Sequence, residues 1–169
     1  RNIGLFCFNK LLGSWLKHHA DNLHGQLSQH NIGEITAGTF QSWMQKIVHE
    51  NKDLKSLFQQ EVDRRGIKSR WEILNQCAAL ALQESKKKFD TLIIDEMQDF
   101  QDISWFPLLD SSLEGGWKDG RWSLFGDYSR QSIAVNANTI DEAGLEEDLR
   151  GFGAYPVKLP LNINCRNTK

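Results

Sequence analysis

Hydrophobic and polar positions along the chain divide it into short apolar runs separated by stretches of helical period. Ile3-Gly-Leu-Phe-Cys-Phe8 is almost unbroken and lacks alternation, the pattern of a strand covered on both faces. Leu11, Leu12, Trp15 and Leu16 then recur at helical spacing, opposite Lys10, Lys17 and His18. Gly25 and Gly33 mark a loop, and Glu34–Ala37 reads as a short strand. Phe40, Trp43, Met44, Ile47 and Val48 predict a second amphipathic helix, residues 52–65 a third ending near Gly66, and Trp71–Lys87 a fourth. In that fourth helix Ile73, Cys77 and Leu80 form the apolar stripe. Thr91-Leu-Ile-Ile94 is a strand of β-branched character, Trp122–Phe125 another, and Val157–Leu159 a last one after a helix over residues 140–150. Trp15, Trp43 and Trp71 sit on apolar helix faces and are expected in the core, whereas Trp117, in a Gly-rich loop, is expected at the surface.

Strands alternating with helices predict parallel crossovers and an α/β fold, a parallel sheet with flanking helices. Ligands of such sheets sit beyond the C-terminal ends of the strands. The residues directly after the strands are therefore the ones to inspect: Asn9, Lys10, Thr39, Asp95, Glu96, Asp127, and Asn162 to Arg166.

Composition narrows the classes. The 169 residues are 40% hydrophobic and 25% charged, a globular balance. No apolar run approaches the roughly 20 residues that span a bilayer, and no signal-peptide pattern is visible, so no membrane partner is expected. Cys7, Cys77 and Cys165 form no CxxC pair and suit a reducing, cytoplasmic setting. The net charge of −2 hides an asymmetry: residues 1–90 carry 13 Lys/Arg against 9 Asp/Glu, residues 91–169 carry 7 against 13. Arg64, Arg65, Lys68, Arg70 and Lys86–Lys88 form a local basic surface or solvated helix faces. His18, His19 and His24 lack the i, i+4 imidazole pair and the nearby cysteine of a zinc site.

The strongest chemical signal is Leu92-Ile-Ile-Asp95-Glu96-Met97-Gln98-Asp99. Adjacent carboxylates leaving a buried strand repel each other and lose solvation, which a divalent cation or a proton relieves. A hard cation such as Mg²⁺ bridging to a phosphate substrate fits this need. An acidic first turn of a helix, favoured by the dipole, explains the acids but not their place at a strand end.

Asp95-Glu96-Met97-Gln98-Asp99 resembles the Walker B motif, DExQD, of UvrD/Rep-like superfamily 1 DNA helicases. In the family's order, Phe8-Asn9-Lys10 resembles motif Ia and Thr39-Phe40-Gln41-Ser42 the segment after it. Gly126-Asp127 with Gln131 resembles motif III, and Asn164-Cys165-Arg166 motif IV. The resemblance spans residues 3–169 and implies an interior part of a RecA-like P-loop motor domain. It divides the chain into residues 1–49 with motif Ia and a DNA-contacting segment, a helical insertion over 50–90, and Walker B with motifs III and IV over 91–169. It implies ATP and Mg²⁺, with Asp95 holding the metal through water and Glu96 as general base for the water attacking the γ-phosphate. It implies coupling by Gln98, Asp99 and Asp127, a γ-phosphate sensor at Gln131 (or Arg130, if the spacing shifts by one), and an arginine finger at Arg166. Asn9, Lys10, Thr39 and Ser42 would contact single-stranded or partly duplex DNA. The chain departs from the family in lacking GxxxxGK[ST] and in carrying Ala134 where an aromatic residue often stacks on a base. The isolated chain is therefore expected to be inactive. Two other classes remain: a metal-dependent nuclease built on Asp95, Glu96, Asp99 and Asp102, and a non-catalytic module binding nucleic acid or protein.

Overall fold

A computed structural model describes residues 1–27, 33–85, 88–100, 103–127 and 142–160. Four strands form one sheet: β1 (Ile3–Cys7), β2 (Ile35–Thr39), β3 (Thr91–Ile94) and β4 (Trp122–Leu124). Their order is β2-β1-β3-β4 and every pairing is parallel. The register sets Phe6 beside Ile94 and Gly38, and Ile94 beside Leu124. The strand leading to Asp95 lies between the Ile3 and Ser123 strands. No helix among the described residues is long and apolar enough to cross a membrane.

The helices are α1 (Lys10–Leu27), α2 (Phe40–Glu50), α3 (Lys52–Arg65), α4 (Arg70–Glu84), α5 (Phe106–Ser112), α6 (Gly116–Asp119) and α7 (Glu142–Gly151). Single 3₁₀ turns cover Ile67–Ser69, Met97–Asp99 and Ile103–Trp105. Phe6, Leu92 and Ile94 point to one face of the sheet and join a core with Phe40, Trp43, Leu74, Ala78 and Leu109 from α2, α4 and α5. The other face is covered less: Ile3, Leu5 and Ile93 are half-buried, and α1 brings Leu16 and Ala20 to that side. The unbroken apolar run of β1 thus buries one face fully and the other only in part. A short sheet with one crossover helix there cannot cover both faces equally.

The path of α1 depends on one small residue. A Cβ on Gly13 would come within 2.6 Å of Thr39 Cγ2 and 2.8 Å of the Thr39 amide nitrogen. Its absence lets the first turns of α1 lie against the end of β2.

Several expectations change. Gly25 sits inside α1 rather than in a loop, because the helix continues through residue 27. The fourth helix stops at Glu84, before the lysine run, and Leu80 of its expected apolar stripe is exposed while Ile73 and Cys77 are buried. Residues 154–160 form no strand. Val157 and Leu159 are 86% and 81% exposed there, while Lys158 pairs with Glu142 and Glu146 of α7. With no neighbouring strand to pair with, that apolar segment stays unladdered. Trp117 is buried, its indole N–H donating to the Phe106 carbonyl at 3.1 Å, so its loop folds inward. Trp15 and Trp71, expected in the core, are 56% and 49% exposed.

Candidate functional site

Because all four strands are parallel, their C-terminal ends share one edge of the sheet. Reading across that edge gives Thr39 at the end of β2, Asn9 after β1, Asp95 and Glu96 after β3, and Asp127 after β4. Residues far apart in sequence are thus brought to one side of the molecule.

The turn after β3 is held from both sides. The Asp95 amide donates to the Phe6 carbonyl at 2.8 Å, and the Met97 amide to the Phe125 carbonyl at 2.8 Å. Asp95 Oδ1 accepts the Glu96 amide at 3.0 Å. Glu96 has φ 53° and ψ 49°, a left-handed conformation, and is the one non-glycine residue with positive φ among those described. A side chain in that region costs about 1–2 kcal/mol, and such outliers cluster where a site over-determines the backbone. Here the cost turns the chain out of the strand and into the 3₁₀ turn Met97–Asp99, where Asp99 N–H returns to the Glu96 carbonyl at 2.9 Å.

A side-chain bridge joins this turn to the next strand. Gln98 Nε2 donates to Glu96 Oε2 at 2.6 Å, and Gln98 Oε1 accepts the Asp127 amide at 3.1 Å. One amide side chain therefore reads the position of the Glu96 carboxylate and of the β4 exit together. Burial, and then the charge of Glu96, pushes the Asp99 carboxyl above its usual range. Cys7 ends β1, the strand next to the one that leads to Asp95. Burial and then the Asp95 charge raise its thiol to about 11. Its Sγ lies 3.3 Å from the Asn9 carbonyl oxygen. A thiol there stays protonated and is no nucleophile at neutral pH. The sequence does not mark Cys7 for this site, because the acids that act on it follow a different strand.

The DNA-contacting candidates are partly committed to the fold. Asn9 Oδ1 caps α1, accepting the Leu11 and Leu12 amides at 2.9 and 3.2 Å. Thr39 Oγ1 caps α2 through the Ser42 amide at 3.1 Å and shares a 2.7 Å hydrogen bond with Ser42 Oγ. Thr39 is buried, while Lys10 and Ser42 are exposed on the same edge. Asn9 and Thr39 thus position helix starts, and Lys10 and Ser42 present groups to solvent.

One oxygen of Asp95 holds a backbone N–H. A single carboxylate acting with water suits Mg²⁺, which keeps much of its hydration shell, so the residues fit a water-mediated metal. Among the described residues no group of three His, Cys, Asp or Glu side chains converges on a metal position, so Asp95, Glu96 and Asp99 do not form a three-carboxylate cluster. His19 instead lies against Trp15, ring centroids 4.2 Å apart, and His18 bonds Asn22 at 3.1 Å. Gln131, Arg166, Asp102, Arg130 and Ala134 lie outside the described residues. A cavity of about 340 Å³ lined by Asn2, Glu34, Trp43 and Glu84 opens at the opposite, N-terminal ends of the strands. No protein-family model, curated protein or solved structure matches the chain.

Proposed function

We propose that the chain is the Walker B-bearing part of a RecA-like motor domain, in an ATP-dependent helicase that moves along single-stranded DNA and opens duplex. The observation that supports this most is the Glu96–Gln98–Asp127 bridge. It gives an acid directly after a central parallel strand a mechanical link to the exit of the neighbouring strand. A nucleotide-driven motor needs such a link between its catalytic acid and a part that moves; a nuclease does not.

Asp95 would hold Mg²⁺ through water, and the bound ion would neutralise charge on the phosphates. Glu96 takes a proton from the water that attacks the terminal phosphate. Gln98 holds the Glu96 carboxylate in place while sensing the Asp127 loop. Gln131 and Arg166 take the sensor and finger roles of the resemblance, and Lys10 and Ser42 contact the DNA backbone. The divergence of Asp95, Glu96 and Asp99 weighs against the nuclease reading.

The test uses a longer protein that contains this chain together with a phosphate-binding loop. Glu96→Gln there leaves ATP binding intact and stops turnover, because the base acts only in the chemical step. Arg166→Ala lowers turnover by about 10³-fold. Normal ATP turnover in both variants would end the motor reading. The chain alone, which contains no GxxxxGK[ST], is expected to show no ATP hydrolysis.

A further inference from the structure

The basic cluster Arg64, Arg65, Lys68 and Arg70 is sorted by the structure into two kinds. Arg64 is held by Glu61 at 2.6 Å and Arg65 by Glu72 at 2.8 Å. Lys68 and Arg70 have no ion pair among the described residues. The Arg70 guanidinium is held by rings instead, 5.9 Å from the centroid of Trp71 and 6.0 Å from that of Phe58, and its Nε is buried with no acceptor. Gly66, at φ 86°, turns the chain out of α3 into the 3₁₀ turn Ile67–Ser69. That turn leaves Ile67 67% exposed and Trp71 49% exposed beside the two unpaired cations.

The corner stands at the candidate-site end of the molecule. Glu84 and Ser85, at the far end of α4, line a cavity with Asn2 and Glu34, so that end lies by the N-terminal ends of the strands. With 15 residues, α4 is about 22 Å long, against about 13 Å for the four residues of β3. Its first turn therefore lies toward the C-terminal ends of the strands. Asn75, in its second turn, bonds the Ser104 carbonyl at 2.9 Å, just beyond the Asp95–Asp99 turn.

We propose that Ile67–Trp71 is a contact surface for single-stranded nucleic acid, with a base on the exposed Trp71 ring and flanking phosphates on Lys68 and Arg70. Paired charge complementarity and an exposed aromatic face match this polymer: cations track its backbone and any base has a face to stack. An acidic peptide would use the cations and leave the ring unused. The inference rests on the motor reading for the direction in which the strand runs across this end.

The test is fluorescence anisotropy of fluorescein-labelled dT15 with the full chain between 50 and 200 mM salt, about the range over which phosphate contacts are read out. Trp71→Ala is expected to weaken binding about tenfold and Trp71→Phe to restore most of it, as stacking requires. Lys68→Ala is expected to lower the salt slope by about 0.7, one single-strand phosphate. Both positions are exposed, and far-UV circular dichroism checks that the variants fold. Wild-type binding with Trp71→Ala and Lys68→Ala overturns the proposal. If Lys10→Ala and Ser42→Ala then weaken binding, the motor reading stands without this corner. Loss in the corner variants with none at Lys10 and Ser42 supports the corner and removes the expected track. Displacement of dT15 by poly-glutamate, with Trp71→Ala indifferent, overturns it in favour of an acidic peptide. No binding of dT15 by the wild-type chain overturns it as well.

Discussion

Glu96 combines an unfavourable backbone with the role of base proposed for its carboxylate, and the two can be separated by substitution. Glu96→Ala and Glu96→Gly remove the same carboxylate and the same bond to Gln98, but only glycine is free of the left-handed penalty. Glu96→Gly is expected to be more stable than Glu96→Ala by about 1 kcal/mol. Urea unfolding of both variants measures the difference; equal midpoints and slopes would show a turn that relaxes without cost. Cys7 gives a second residue-scale expectation. Its thiol is raised from 9.0 to about 11 in the fold, so between those values the unfolded chain has lost a proton that the folded one keeps. This contribution to stability is complete below pH 9 and is lost as pH rises towards about 11. Cys7→Ser or Cys7→Ala is expected to flatten the alkaline limb of a stability-versus-pH curve, and an unchanged limb would place the cause elsewhere. Asp95 and Glu96 were legible at this scale, because acids ending an apolar run stand out. Cys7 was not, because its neighbours come from another strand.

At the scale of elements, two caps and one close approach position the candidate edge. Thr39 ends β2 and starts α2, so Thr39→Ala removes the cap at a cost of about 1 kcal/mol. Gly13→Ala is the more telling change. Alanine favours helix over glycine by roughly 1 kcal/mol, yet its Cβ would press on Thr39 at 2.6 Å. Overpacking costs about 1–3 kcal/mol, so a net loss of up to about 2 kcal/mol is expected. Thermal unfolding of Gly13→Ala checks the sign, and a gain in stability would mean that α1 stands off from β2. Helix α3 matches the expected 52–65 and ends at Gly66; its cap was not read, and Asn51 Oδ1 supplies it by accepting the Asp53 and Leu54 amides. Helix α5 was not read, because Pro107 at its start and seven residues give too little period to see.

Among the described residues the molecule is built on a parallel sheet whose two central strands are paired on both sides and whose two outer strands are paired on one. Outer strands open without breaking the core. Hydrogen exchange is therefore expected to be slowest in β1 and β3, and faster by at least about tenfold in β2 and β4. Exchange read by mass spectrometry over Trp122–Leu124 against Thr91–Ile94 tests it; equal protection would mean that the free side of β4 is covered. The parallel order also explains why the candidate residues meet. Thr39, Asn9, Asp95 and Asp127 are spread over 119 residues but each ends or follows a strand of one direction.

By itself the sequence determined where the four paired strands and most helices fall, the class of fold, and the acidic turn after β3. Those properties depend on local period, caps and turn residues, which are written in neighbouring positions. Tertiary structure alone decided which tryptophans are exposed, since Trp15, Trp71 and Trp117 all sit in patterns that contradict their burial. It decided that 157–159 forms no strand, because a strand needs a partner and not only β-branched residues. It also decided that Gln98 joins Glu96 to Asp127, a bridge across two strands that depends on how β3 and β4 lie side by side.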